Sequence, residues 1–271
     1  MFGASESCNV VNCNSYGSVS INKPGNGENL IGGISGFNYY GNIFKSYSNG
    51  VTSSVSATSL AIGCIAGYNT GSITACVSEG KVVGASGNSI CIGGTVGNNA
   101  GGNTVDCISN AEIIVNSANS SAGGIAGYNG AVLKTSCFTG TVTATVGGGN
   151  IGGIVGGNGT SGSVMNCVTL GSVIAISGNV HPGVGSSSGI LSGNVYDGAS
   201  VFTLGGNPAT PSARVGVAAA TREQLTTESF YHEVLYWETK NWVIENGKLP
   251  YLSWYGEIAT EPEEPEGGEQ V

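Results

Sequence analysis

Few side chains in this sequence could do chemistry, and they are widely spaced. Across residues 1–210 the acids are Glu6, Glu28, Glu79, Asp106, Glu112 and Asp197, and the bases are Lys23, Lys45, Lys81 and Lys134. Polysaccharide cleavage needs two carboxylates a few ångström apart or one well-placed base. Glu79 and Glu112 come nearest to that condition, because they lie three and five residues after Cys76 and Cys107, near equivalent points of a repeating unit. Read structurally, both are solvated turn charges, and that reading is preferred. The two histidines, His181 and His232, stand fifty-one residues apart and offer no metal-ligand spacing. Cys167 is the thiol nearest in sequence to His181, but His181-Pro182-Gly183 reads as a turn in a loop, which argues against a Cys–His nucleophile. Glycine-rich octamers could pass for a nucleotide fingerprint, yet no helix follows them to present amides to a phosphate. The sequence calls for no cofactor and no metal, and no catalytic residue is assigned.

The elements that would hold such residues announce themselves through composition. Of 271 residues 48 are Gly and 9% are charged, against typical values of about 7% and about 25%. So much Gly excludes long helices, each costing about 1 kcal/mol in a helix interior, and the absence of a strict three-residue period excludes collagen. Five octamers align without gaps: Ile31–Asn38, Ile62–Asn69, Ile92–Asn99, Ala122–Asn129 and Ile151–Asn158. Their terminal Asn recurs at steps of 31, 30, 30 and 29. A second phase follows seven to nine residues later with Cys76, Cys107, Cys137 and Cys167; Ser46 takes that place in the first unit, and Cys13 opens an earlier partial one. Each unit therefore holds short β-prone stretches between Gly, Asn and Ser turns.

Units of this kind bury nothing alone and must stack. The expected fold is all-β: a right-handed parallel β-helix of about six coils, with a rise of about 4.8 Å per coil and a length near 30 Å. Gly would serve corners with positive φ or close backbone approaches. Asn38, Asn69, Asn99, Asn129 and Asn158 would stack amide on amide, and Cys76, Cys107, Cys137 and Cys167 would form a second ladder as small buried hydrophobes.

Three segments are expected: a solenoid over 1–210, a capping segment over 211–255 and an acidic Pro/Gly linker over 256–271. Thr221 through Leu225 carries a helix-start signal with Thr221 as N-cap. All three Trp residues lie beyond it, with Phe230, Tyr231, Tyr236, Tyr251 and Tyr255. They read either as an aromatic binding platform or, preferably, as bulky residues closing the open end of the solenoid against edge aggregation. Six of the 17 acids fall in the last fifteen positions, so the net charge of −9 is mostly a property of the tail. Such a tail reads as extended and disordered, leading to further domains or an anchor of the same polypeptide.

Eight Cys is an even number, which outside the cell would suggest disulfides, Cys8 with Cys13 being a local option. Four of them in one coil phase instead argue for buried free thiols, since in-register parallel strands rarely give the dihedral a bridge requires. No window concentrates Lys and Arg enough for nucleic acid. No run reaches the 18–20 or so apolar residues of a membrane span, so membrane insertion is not expected.

The Ile-Gly-Gly-Ile-Ala-Gly-Tyr-Asn type of octamer with its Cys-x-x-x-Gly-x-Val phase resembles the GLUG repeat of large bacterial surface proteins, including adhesins and regions flanking immunoglobulin A peptidases. The segments Thr221–Leu225 and Asn241–Leu252 also resemble the ending that commonly closes such arrays. The likeness runs from about residue 8 to 255, with departures at Cys64, Thr95 and Ala122. It implies a secreted or surface-displayed β-solenoid and no reaction. The expected role is a non-enzymatic cell-surface stalk or adhesion module, with an unidentified host protein or glycan as partner and an extracellular or cell-surface location. An alternative is an accessory region that holds substrate for a larger peptidase or glycan-degrading enzyme. Ice or mineral binding would need aligned Thr ladders, and Thr139, Thr141, Thr143 and Thr145 find no Thr in Ser109, Ala111, Ile113 and Val115, taken as their counterparts one coil earlier.

Overall fold

Each repeat supplies five short strands separated by turns, and each strand pairs in parallel with its equivalents one repeat away. A computed structural model describes residues 2–21, 28–54, 59–85 and 90–255; the expected acidic linker lies outside them. One coil runs through Ser59–Gly63, Ala66–Asn69, Ser72–Thr74, Val77–Ser78 and Lys81–Gly84. These strands belong to five sheets of six, seven, seven, eight and eight strands, called here the first to fifth in the order the coil visits them. The chain is thus a β-solenoid of about six turns, a parallel β-helix. The one antiparallel pair in these sheets is the final hairpin Phe202–Leu204 with Asn207–Pro208.

Register follows the octamer. Ile62 lies between Ile31 and Ile92, Ala66 between Ser35 and Val96, and Asn69 between Asn38 and Asn99. Inward positions form one thin continuous core through Ile31, Ile62, Ile92, Ala122 and Ile151 of the first sheet and Ile43, Ile73, Leu133 and Val164 of the third. The octamer glycines hold tight approaches. A Cβ on Gly63 would lie 2.5 Å from the Ala66 carbonyl oxygen and 2.7 Å from that of Thr95, so only Gly lets the first sheet turn into the second. A left-handed backbone recurs instead on Asn12, Lys45, Ala75, Asp106, Thr135 and Asn166, each just before the rung that opens the fourth sheet, at φ between 49° and 54°.

Only the start of the expected capping segment closes the end; its aromatic residues do not, and pack on a flank instead. Closure comes from residues 212–217: the Ser212 carbonyl accepts from His181 Nε2 at 3.1 Å, Arg214 Nη2 donates to the Gly185 carbonyl at 2.9 Å, and Val217 enters the core. Val217–Ala220 then adds a last strand to the fourth sheet. From Thr221 the chain doubles back along the outside of that sheet as a strap. Leu225, Tyr231, Leu235, Trp237, Trp242 and Leu252 pack over the outward residues Tyr47, Val77, Ile108, Cys137, Val168 and Val195. Thr221 makes the bonds of a capping box, with Gln224 N–H donating to Thr221 Oγ1 at 3.2 Å and Thr221 N–H to Gln224 Oε1 at 2.9 Å, but the N-cap position of the turn that follows is Glu223. Only a 3-10 turn, Gln224–Thr226, and a π turn, Phe230–Val234, follow, because the strap is shaped by the sheet beneath it.

Candidate functional site

The five ladder asparagines form one chain of buried amides. Nδ2 of each donates to Oδ1 of the next, at 2.7 Å from Asn38 to Asn69, 2.9 Å to Asn99, 2.7 Å to Asn129 and 2.8 Å to Asn158. Asn158 then donates to Ser187 Oγ at 3.1 Å, which ends the run. The second Nδ2 hydrogen reaches turn carbonyls, Gly41 for Asn38 and Ala131 for Asn129. Buried corner carbonyls, which would be costly to leave unpaired, are satisfied this way.

The thiols divide. Cys76, Cys107 and Cys167 share one inward rung with Cys13, Ser46, Ser136 and Asn194, and the polar members cap the backbone of the coil before. Cys13 N–H donates to Ser46 Oγ, Cys107 N–H to Ser136 Oγ at 3.1 Å, and Cys167 N–H to Asn194 Oδ1 at 3.1 Å. Cys137 is not in that ladder, contrary to expectation. It pairs with Ile108 and Val168, one place on, and faces the strap. The coil there is 29 residues long, so an even 30-residue count misplaces it by one. All eight thiols are free. Burial pushes those of Cys64, Cys137 and Cys167 up to about 12, and that of Cys107 well above its usual range, with Cys76 beside it adding to the effect. Such thiols are poor nucleophiles.

The expected carboxylate pair is not formed. Register sets Glu112 against Lys81, and the two make a 3.0 Å ion pair at the half-exposed surface. Glu79 instead accepts the Tyr47 hydroxyl at 2.8 Å and the Tyr255 hydroxyl, pinning the far end of the strap. Burial first, and Glu79 second, hold the Tyr47 phenol well above its usual range. Asp106 accepts from Thr135 Oγ1 and, at 2.7 Å, from Asn241 Nδ2 of the strap. Asp197 accepts the Ala199 N–H at 2.9 Å and pairs with Arg222 at 3.2 Å.

His181 is not in a loop turn, as its His-Pro-Gly context implied. It ends a first-sheet strand opposite Gly152, is 1% exposed, and accepts the Gly183 N–H on Nδ1 at 2.9 Å. Burial, and then Arg214, lower its pKa to about 4, so at neutral pH it is an uncharged end plug. His232 sits on the strap and donates to the Trp237 carbonyl. Among the described residues no group of three His, Cys, Asp or Glu could hold a metal ion, and no helix is long and apolar enough to cross a membrane. The Thr counterparts are Asn110, Glu112, Ile114 and Asn116, one place on from those assigned, and the Thr array still has no partner row.

Two further features bear on binding. A cleft of about 420 Å³ opens beside the final hairpin, lined by Pro182, Tyr196, Asp197, Phe202, Pro208 and Pro211. At the other end, Phe37, Tyr39, Tyr40 and Tyr68 cluster on the outside of the second sheet. Sequence reading missed this cluster, although Tyr39-Tyr40 in a corner that elsewhere carries small residues was a visible signal. Comparison with protein-family models, with curated proteins and with solved structures finds no match.

Proposed function

We propose that this chain is a non-enzymatic stalk and binding module of a larger bacterial cell-surface protein, as its resemblance to GLUG repeats implies. The observation that carries the reading is the amide ladder. A buried, unidirectional hydrogen-bond chain from Asn38 to Ser187 ties successive coils along the axis, the construction of a stiff spacer. In support, the side chains with catalytic potential have structural partners: Glu79 and Asp106 hold the strap, Asp197 and His181 hold the C-terminal end, and Glu112 pairs on the surface. Such a role matches a body of low charge whose fourth sheet alone is covered by the strap. The test is protease shaving of intact native cells, followed by detection with an antibody to the solenoid. Loss of signal without lysis is expected; signal confined to the cytosolic fraction would overturn the reading.

A further inference from the structure

We propose that the Phe37–Tyr39–Tyr40–Tyr68 corner is a binding site for an uncharged glycan, which deepens the binding half of the proposed function and rests on it. The residue after the ladder Asn is Tyr39 in this coil, but Thr70, Ala100, Gly130, Gly159 and Ser188 in the next five, identified by the same N–H bond to the Asn carbonyl one coil back in each of those five. Small residues therefore suffice for the corner, and the fold does not explain the aromatics. Tyr40 is 64% exposed and holds φ at 51°, a conformation unusual for a bulky side chain. Ser7, at the equivalent point one coil earlier, holds φ at 47°, so the corner imposes this backbone and a Tyr there is the departure. Here Thr70 Oγ1 accepts the Tyr40 N–H at 3.3 Å, and the Tyr40 ring lies 4.4 Å from that of Tyr39. Tyr39 meets Phe37 at 5.3 Å, and Phe37 meets Tyr68 edge-on at 5.2 Å, so four rings form one continuous surface over two coils.

Its chemistry selects the ligand. Aromatic faces attract the C–H faces of pyranose rings, and phenol and amide groups at the rim bond to hydroxyls. Asn42 supplies such an amide, exposed and bonded to Asn9 at 2.9 Å. Residues 35–44 and 66–74 contain no Asp, Glu, Lys or Arg, and the backbone partner of Tyr39 is Glu6. The basic residue that follows these segments, Lys45, lies over the Phe44 ring at 5.4 Å, on the third sheet and not among the four rings. Phe37 and Tyr68 are backbone partners one rung apart, and the rung spacing of about 4.8 Å is close to the length of one sugar ring, so these two rings can engage successive residues of a chain.

The test is affinity electrophoresis of the whole chain through gels containing starch, laminarin, xylan or galactomannan, with polygalacturonate as the anionic control. At least one neutral gel should retard the protein, and the double variant Tyr39→Ser, Tyr40→Gly should weaken retardation at least tenfold. That variant copies residues other coils use, and protection of Cys107 from alkylation reports that it is folded. Tyr236→Ser, an exposed phenol on the strap, should change nothing. Retardation by no neutral glycan, retardation by polygalacturonate alone, or full binding by the folded double variant would overturn the proposal. So would self-association in sedimentation that the double variant abolishes, since the rings would then face a second copy of the chain. Each of these failures leaves the stalk role standing, because that role is read from cellular location.

Discussion

Cys107 and Cys137 occupy the same place in the sequence repeat but opposite sides of the same sheet: Cys107 faces the solenoid core, and Cys137 faces the strap. One residue fewer in the intervening coil reverses the side, since strand side chains alternate. Removal of the strap from Thr221 onward should therefore make Cys137 reactive to iodoacetamide at pH 8 while Cys76, Cys107 and Cys167 stay protected. Trp237→Ala, which loses about 3–5 kcal/mol of packing and the 2.7 Å bond to the Asn166 carbonyl, should move in the same direction. Mass spectrometry of labelled peptides distinguishes this from an end cap, whose loss would not single out Cys137.

Amide ladder continuity gives a sharper test than burial alone. Asn99→Ala removes the acceptor for Asn69 and the donor to Asn129, leaving buried amide groups unpaired at about 1–3 kcal/mol each. Asn99→Asp keeps the shape but sets a carboxylate oxygen against the Asn129 carbonyl, so it should destabilise more than the Ala variant. Urea midpoints of the three proteins check the order.

Position within the repeat should decide which glycines can be replaced. A Cβ on Gly94 would lie 2.1 Å from Ser109 Oγ and 2.2 Å from the Gly124 carbonyl oxygen, whereas one on Gly157 meets Ser121 Oγ at 3.1 Å. The neighbouring rung residues of Gly157 are Tyr128 and Ser186, so a side chain fits there. Gly94→Ala should cost about 1–3 kcal/mol, and Gly157→Ala close to nothing, read from thermal midpoints. Pairing Gly94→Ala with Ser109→Ala should not rescue it, because the backbone clash remains.

The His181 plug gives the C-terminal end a pH dependence. Its folded pKa is about 4, below the ordinary value of about 6.5, so between those values the unfolded chain binds the proton more readily. Stability is full above about pH 6.5 and is lost progressively as the pH falls toward 4. His181→Gln should flatten the His contribution to the melting temperature across that window. An unchanged slope would show that the ring is not held neutral.

How far the fold could be read depended on periodicity. The octamers repeat the inward Ile and ladder Asn faithfully, and both landed where an even stack puts them. Phase was lost wherever a coil changed length, as at Cys137 and in the Thr counterparts, because a one-residue slip is invisible to spacing but decisive for side-chain direction. The aromatic richness beyond Thr221 signalled apolar surface to cover, yet nothing local says whether that surface is an end or a flank. The outward rungs Val77, Ile108 and Val168 held the answer: apolar residues at those positions make sense only under a cover. His181 was misread because its Pro and Gly neighbours resemble a turn, when the missing next coil leaves room for an imidazole.

The strap also sets a length standard. It leaves the fourth sheet at Ala220 and is tied to Asn166 by Trp237, to Asp106 by Asn241 and to Glu79 by Tyr255, three anchors on three different coils. A repeat array free of such a tie can gain or lose whole units by recombination and still stack. Here the loss of a single unit between Glu79 and Ala220 would shift the anchor sites by about 4.8 Å against a covalent chain of fixed reach, so the number of coils beneath the strap is locked.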